Sequence, residues 1–434
     1  MILTRGERRR RLLEQEVLAS TTTRASNMFC PKKQKKEVVV HETVVEVLPG
    51  IPDYLTLEFI LPKLSLTLLD TTLSCVSSGW RHAVRSSQLF AARARSCLTE
   101  TLVLINHTRR SDDTNAISLY SLRDKVVYHL PPIPGVKCGI PRSCNCVTMG
   151  GKIYILGGLK NPNQRPSRPG VCSGNAYVLD VVGERTWKRC ATMLKPRERF
   201  GCSVFNGKIF VCGGLAGISP VMVSEMYDPE ADAWTAINSM PMASWRFDHQ
   251  VGILGDELLV FGGSSTAEAL CRLGVDISRM EEMIRQRNTH YSCFGVEVYN
   301  PMKDEWRYLF THTRDFGWYL DVSTDRFFTA NGKLHALTKK GISIYDFQKA
   351  KVEKLQSSRL PRFLPQRVPQ NQVLIVDDEL VTICWCDYLG IESPATILHS
   401  KGFGLDNQEI FWSALEGPFS FGGISSSFMC SLQL

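Results

Sequence analysis

The hydrophobic pattern changes character twice along the chain. Residues 1–44 have no sustained apolar period and few aromatic side chains, which predicts a disordered tail. From Leu48 onward, apolar residues at Leu55, Phe59, Ile60 and Leu64 fall on one face of a helix. Pro52 is tolerated in a first turn, and Asp53 suits the positive end of the helix dipole. Pro62 breaks a helix interior, so this helix is predicted to end near residues 59–61. A second helix is predicted over residues 68–84, with Leu69, Leu73, Val76, Trp80 and Val84 as its buried stripe, and a third over about residues 88–95. Such short helices bury too little surface to be robust alone, so this module (45–95) is expected to complete its core against a neighbouring domain or a partner.

Beyond residue 98 the pattern becomes strand-like and repeats. Three segments share one form: Gly151-Lys152-Ile153-Tyr154-Ile155-Leu156-Gly157-Gly158, Gly207-Lys208-Ile209-Phe210-Val211-Cys212-Gly213-Gly214, and Asp256-Glu257-Leu258-Leu259-Val260-Phe261-Gly262-Gly263. Each is followed by a tyrosine (Tyr177, Tyr227, Tyr299) and then a tryptophan (Trp187, Trp234, Trp306). The glycine pairs recur after 56 and 49 residues and the tyrosines after 50 and 72, which places an insertion at about 264–294. Runs such as Ile153-Tyr154-Ile155-Leu156 are apolar on both faces, and turn signals such as Asn206-Gly207 and Asp228-Pro229 separate them. Four antiparallel strands per repeat, with each small sheet covered on both sides, describe the blades of a β-propeller. The glycine pair supplies positive φ and close backbone approach, and the Tyr and Trp pack between blades. Residues 331–346 and 373–412 read as degenerate fourth and fifth units. The runs 102–105, 117–122 and 126–130 read as an incomplete blade whose missing strand residues 425–434 could supply. The fold class is therefore mainly β, a propeller of about six blades (98–434, with five as the alternative) preceded by a small all-α module.

Charge and cysteine content narrow the function. The formal net charge is +8, and residues 1–45 hold ten basic groups against five acidic ones, so most of the excess lies in the tail. A nucleic-acid domain needs its basic groups gathered on a folded face, so no nucleic-acid partner is expected. Pro31-Lys32-Lys33-Gln34-Lys35-Lys36 reads as a nuclear import signal or as a solvated charge run. No stretch reaches 18 uninterrupted apolar residues and no secretory signal opens the chain, so no membrane association is expected. Fifteen cysteines without that signal read as reduced thiols, which points to cytoplasm or nucleus.

The helical segment resembles an F-box. The resemblance rests on Leu48-Pro49, Ile51-Pro52-Asp53 and Cys75-Val76-Ser77-Ser78-Gly79-Trp80-Arg81, which stands where the family has its Val-Ser…Trp-Arg signature. It implies docking on a Skp-type adaptor, and through it on cullin and RING subunits, with Pro49, Ile51, Pro52, Leu55, Ile60, Leu64, Val76 and Trp80 at the docking positions. The repeats resemble the kelch repeat, with its double glycine followed by spaced Tyr and Trp. Together these features are similar to plant F-box/kelch-repeat proteins, and they imply a substrate receptor of an SCF-type ubiquitin ligase that marks its target for degradation. A non-degradative scaffold is the alternative reading. Some kelch propellers are oxidases or sugar isomerases, but such enzymes have no reason to carry an F-box.

In a four-stranded meander, loops between the second and third strands emerge on the same face as the links between blades. That face gathers Arg199, Trp245, Arg246, Arg314, Trp318 and Arg326, which suggests a surface for an acidic or phosphorylated segment of the protein substrate. An arginine at this boundary also serves in kelch repeats to bond loop carbonyls. No catalytic residues stand out, because phosphate-cradling, nucleophile-elbow and dinucleotide motifs are missing. Cys144/Cys146 and Cys384/Cys386 are C-x-C pairs without a second ligand pair at zinc-like spacing, so neither a metal nor a cofactor is expected.

Overall fold

The computed structural model describes residues 47–434, apart from 109–113, 161–170, 218, 242–245, 266–295, 311–325, 339–340, 347–350, 358–372, 377–378, 385–386, 389–390, 393–395, 402–410 and 415–428. The expectations for the basic tail, Trp245, Arg314 and Trp318 lie outside the described residues.

Among the described residues, six four-stranded antiparallel sheets follow the helical module. Five are built from consecutive stretches of chain. Blade one is Asn145–Met149, Lys152–Leu156, Ala176–Asp180 and Trp187–Cys190, and blade two is Gly201–Phe205, Lys208–Cys212, Ser224–Asp228 and Ala233–Ile237. Blade three runs from Gln250–Leu254 to Glu305–Phe310, blade four from Arg326–Ala330 to Lys351–Ser357, and blade five from Val373–Val376 to Phe411–Ala414. The sixth is composite: the closing strand Met429–Gln433 pairs antiparallel with Thr101–Thr108, which continues through Asn115–Ser121 to Val127–His129. The innermost strands touch in sequence around a closed ring, with Met429–Gln433 between Val373–Val376 and Asn145–Met149. Both degenerate repeats thus form full sheets, and the closing strand removes the open edge that an incomplete blade would leave.

The repeat signature has a steric basis. Gly213 and Gly214 have φ +61° and +87°. A Cβ on Gly213 would lie 2.7 Å from the Arg246 carbonyl oxygen, and one on Gly214 would lie 2.6 Å from that of Glu198. Only glycine lets strand and link approach so closely. Tyr227 and Trp234 pack with ring centroids 5.0 Å apart, and Tyr299 and Trp306 repeat that geometry at 5.0 Å. Each tryptophan also donates its indole N–H backward along the ring: Trp187 to Pro131 O (2.8 Å), Trp234 to Ala191 O (2.9 Å) and Trp306 to Asn238 O (2.7 Å). The tyrosine hydroxyls donate to Asp232 and Asp304, whose carboxylates accept the Ala191 and Asn238 N–H groups. One blade's turn is thereby tied to the preceding link.

The helical module departs from its predicted shape. A run of short helical turns covers Asp53–Leu55, Thr56–Ile60 and Leu61–Lys63, and a second covers Leu68–Thr72 and Leu73–Cys75. The single helix expected over residues 68–84 is interrupted at Ser77. This residue has extended backbone (φ −159°, ψ 172°), and its side chain accepts the Trp80 N–H, capping a new helix α1 (Ser78–Val84). Helix α2 (Ser87–Arg95) is capped in the same way by Ser86. Val76, predicted in the buried stripe, is 60% exposed, and Phe59 is 57% exposed, whereas Leu61 and Leu69 are buried. Among the described residues, the module's core is shared with the propeller. Leu69, Val84 and Leu89 belong to one cluster with Leu104, Ile117 and Leu432 of the composite blade.

Candidate docking surfaces

Two surfaces stand apart on the molecule. The first lies on the helical module. Val47 N–H donates to the Asp53 carboxylate (3.0 Å), and Ile51 N–H donates to Leu48 O (3.0 Å), with Gly50 at φ +77°. This turn presents Pro49 and Pro52 to solvent, with Ile51 half-buried. Ile60 and Val76 are exposed, Leu55 is half-buried, and Leu64 and Trp80 are partly buried against the shared core. Tyr54, Phe59 and Leu68 are also exposed and were absent from the sequence-derived docking set. These exposed large apolar side chains make the module a candidate docking surface. Their opposite sides are sealed by Leu61, Leu69, Ala83, Val84 and Leu89.

The module sits on one particular face of the propeller. Thr67 Oγ1 donates to the Asp124 carboxylate and lies 2.6 Å from Tyr128 Oη, while Asp70 pairs with Arg185 at 2.5 Å. Asp124 and Arg185 occupy turns between third and fourth strands. By strand alternation, those turns lie opposite the links between blades and the long second-to-third-strand connections. The links between blades that carry Arg197, Arg199 and Arg246 therefore lie on the face away from the helices.

On that distal face the arginines divide by environment. Arg246 is 1% exposed; its Nη2 donates to both Glu297 carboxylate oxygens at 2.6 and 2.7 Å, and its Nη1 donates to Gly262 O at 3.0 Å. Arg197 repeats the arrangement one blade earlier, fully buried on Glu225 and donating to Gly213 O (3.1 Å) and Val223 O (2.8 Å). The sequence-based placement of Arg246 on a ligand-binding surface is thus overturned: its guanidinium is a strut inside the blade boundary. Arg199 is half-exposed, but its Nε and Nη2 donate to the two Asp248 carboxylate oxygens, and it stacks over Phe247, 4.4 Å from the ring centroid. Its N–H donates to Ser143 O, and its carbonyl accepts the Asp248 N–H, so three consecutive blade entries are laced together. Arg326 opens the strand Arg326–Ala330. Sequence reasoning missed the partners Glu225 and Glu297, although a glutamate two residues before both Tyr227 and Tyr299 was the available signal.

A channel of about 440 Å³ runs between the innermost strands, lined by Cys146, Thr148, Ser203, His249, Gln250 and Ser431 among others. Burial, helped by the charges of Arg246 and Arg197, pushes the His249 imidazole down to about 3, so it is neutral at physiological pH. Its Nε2 lies 3.5 Å from Cys212 Sγ, a thiol that burial pushes up to about 12. That pair is inert packing rather than an activated nucleophile. Cys144 and Cys146 are buried thiols outside any disulfide, and the described residues include no group of side chains placed to hold a metal ion.

Similarities to known proteins agree with this architecture. Residues 141–194 and 196–241 match the family model for the Kelch motif, which corresponds to blades one and two with their links. An Arabidopsis thaliana F-box/kelch-repeat protein, SKIP30, is 30% identical over 242 residues, covering 54% of this chain and 67% of that protein. The chain belongs to the plant F-box/kelch-repeat family. Within it, the F-box protein AFR of the same plant is 26% identical over 194 residues, covering 43% of this chain and 48% of that protein. The F-box/kelch identity fits an N-terminal helical module carried on a kelch propeller, as the sequence predicted.

Proposed function

We propose that this F-box/kelch-repeat protein is the substrate-recognition subunit of an SCF-type cullin–RING ubiquitin ligase. The bared apolar face of the helical module docks on a Skp-type adaptor, which connects to cullin and RING subunits. The distal propeller face holds the protein to be ubiquitinated. The observation that carries this reading is the placement of the helices on the short-turn face, which leaves the long-loop face free while the adaptor is engaged. The contribution to catalysis is proximity: a held target sees the conjugating enzyme at high effective concentration, and transfer to nearby lysines rises accordingly. Cytoplasm and nucleus are the compartments where this role is exercised. The distal face is read as taking an acidic or phosphorylated target segment, with Arg199, Trp245, Arg314, Trp318 and Arg326 as the side chains to test and Arg246 set aside because it is buried on Glu297.

The test is co-purification of adaptor and cullin with tagged full-length chain, together with the lifetime of proteins bound to its propeller. Accumulation of a bound protein on proteasome inhibition, abolished when the helical face is altered, supports the reading. Co-purification of the adaptor with no change in any bound protein's lifetime contradicts the degradative role.

A further inference from the structure

We infer that the propeller itself folds the helical module, with the buried Arg93–Glu100 pair as the clamp between them. The module cannot stand by local propensity. Helices α1 and α2 have seven and nine residues, and isolated helices shorter than about 12–15 residues are marginal in water. What orders them is a core borrowed from the composite blade, with Leu69, Val84 and Leu89 against Leu104, Ile117 and Leu432.

The clamp lies where the two parts meet. Arg93, 1% exposed, donates to Pro62 O (3.1 Å), Leu64 O (2.6 Å) and the Glu100 carboxylate (2.9 Å), so α2 is fixed to the end of the first helical run. The same Glu100 oxygen accepts the Leu66 N–H at 3.0 Å. The Glu100 backbone exchanges both its hydrogen bonds with Leu434, beside the strand that closes the ring (2.7 and 3.0 Å). One residue thus holds the helices with its side chain and the ring closure with its main chain. Thr67 on Asp124 and Tyr128, and Asp70 on Arg185, form a second layer nearer the surface. The bared apolar face is therefore held at one orientation to the propeller before any partner arrives. This inference does not depend on which protein docks there.

Hydrogen exchange of the full chain, without partners, tests it. Amides of Leu89–Arg93 are expected to exchange within about tenfold of those in Thr101–Thr108, as members of one cooperative unit. Exchange of the helices at the rate of unstructured peptide, with the blade amides slower by roughly a thousandfold, overturns it. Glu100→Gln keeps an acceptor for Leu66 but removes the charge facing Arg93. It is expected to speed the α2 amides about tenfold or more while leaving Lys208–Cys212 unchanged. No change, or equal loss in both regions, refutes the clamp. Thr67→Val, a milder change in the second layer, is expected to shift the helices and Thr101–Thr108 together in the same direction, and an unaltered pattern or a shift of the helices alone counts against the coupling. Addition of recombinant Arabidopsis Skp-type adaptor is expected to slow exchange in wild type only around residues 54–60 and 76. A gain of roughly a hundredfold at Leu89–Arg93 would mean that the adaptor does the folding, and would overturn the inference. Lack of adaptor binding would instead remove the docking proposal and leave the partner-free result standing.

Discussion

In the propeller, each stabilising device is repeated one blade on: Arg197 on Glu225 and Arg246 on Glu297, Trp234 on Ala191 and Trp306 on Asn238. The helical module has no such redundancy among its described residues. Its one buried cation, Arg93, is paired with Glu100, which already belongs to the approach to the composite blade. The repeats spend their apolar side chains on each other, and Tyr154, Leu156, Ile209 and Val211 are all buried between blades. The module leaves Tyr54, Phe59, Ile60, Leu68 and Val76 bare, because its core is completed by the propeller. A short helical segment that borrows a core keeps its second apolar face available for a partner.

The largest expected effect comes from breaking a repeated strut. Glu297→Ala strands the Arg246 charge in the interior, where loss of one partner of a buried pair costs about 3–5 kcal/mol. Thermal or denaturant unfolding should show that loss, and a change below about 1 kcal/mol would mean that the strut is not desolvated as its burial indicates. Leu69→Ala probes the borrowed core. A cost of about 2–4 kcal/mol is expected for a leucine buried at 1% exposure. If the module shares the propeller's core, the variant melts in one transition at lower temperature. Two separated transitions would divide the regions that the shared cluster unites.

Acid separates the regions in another way. Burial holds His249 at about 3 and His335 at about 4, both below the unfolded value near 6.5. Below pH 6.5 the unfolded chain binds protons at these sites that the folded chain refuses. Their stabilising contribution is therefore full above that pH and is lost progressively on acidification toward pH 4. Each contributes a slope of about 1.4 kcal/mol per pH unit in that window. His335→Phe should flatten the acid limb of the stability profile by about that amount, and an unchanged limb would place the proton uptake elsewhere. Arg199→Ala, at a half-exposed pair, should cost about 1 kcal/mol or less, measured by the same unfolding assay. A cost equal to that of the Arg246 strut would erase the distinction between the two arginines.

The legible parts of the fold were those imposed by local sterics. Glycine pairs that tolerate positive φ, and tyrosine and tryptophan at fixed offsets, follow from the geometry of a single blade, so the repeats could be read even where the fourth and fifth lack the full signature. The strand closing the ring was legible because an incomplete blade has an edge to satisfy. Long-range pairing was not legible. Arg246 lies in a link between strands and looks solvent-facing, while its partner Glu297 is 51 residues away. The break at Ser77 was missed because apolar spacing continues through it, although a serine three residues before Trp80 is a capping signal. That error put Val76 in the buried stripe, whereas it is exposed, in keeping with its place among the docking positions. Burial of the helical module against the composite blade was foreseen only as a need for some neighbour, since nothing local names which surface supplies it.

The exposed side chains Phe59 and Val76 are proposed to serve docking rather than the packing of the fold. Binding of the full chain to an immobilised Arabidopsis Skp-type adaptor, compared between wild type and the double variant Phe59→Ser/Val76→Ser, tests it most directly. Both side chains are more than half exposed, so the variant's unfolding free energy should stay within about 0.5 kcal/mol of wild type. Its affinity for the adaptor should fall at least about tenfold, as expected when two apolar anchors at an interface are removed. Equal retention of wild type and variant, with both fully folded, would contradict the account.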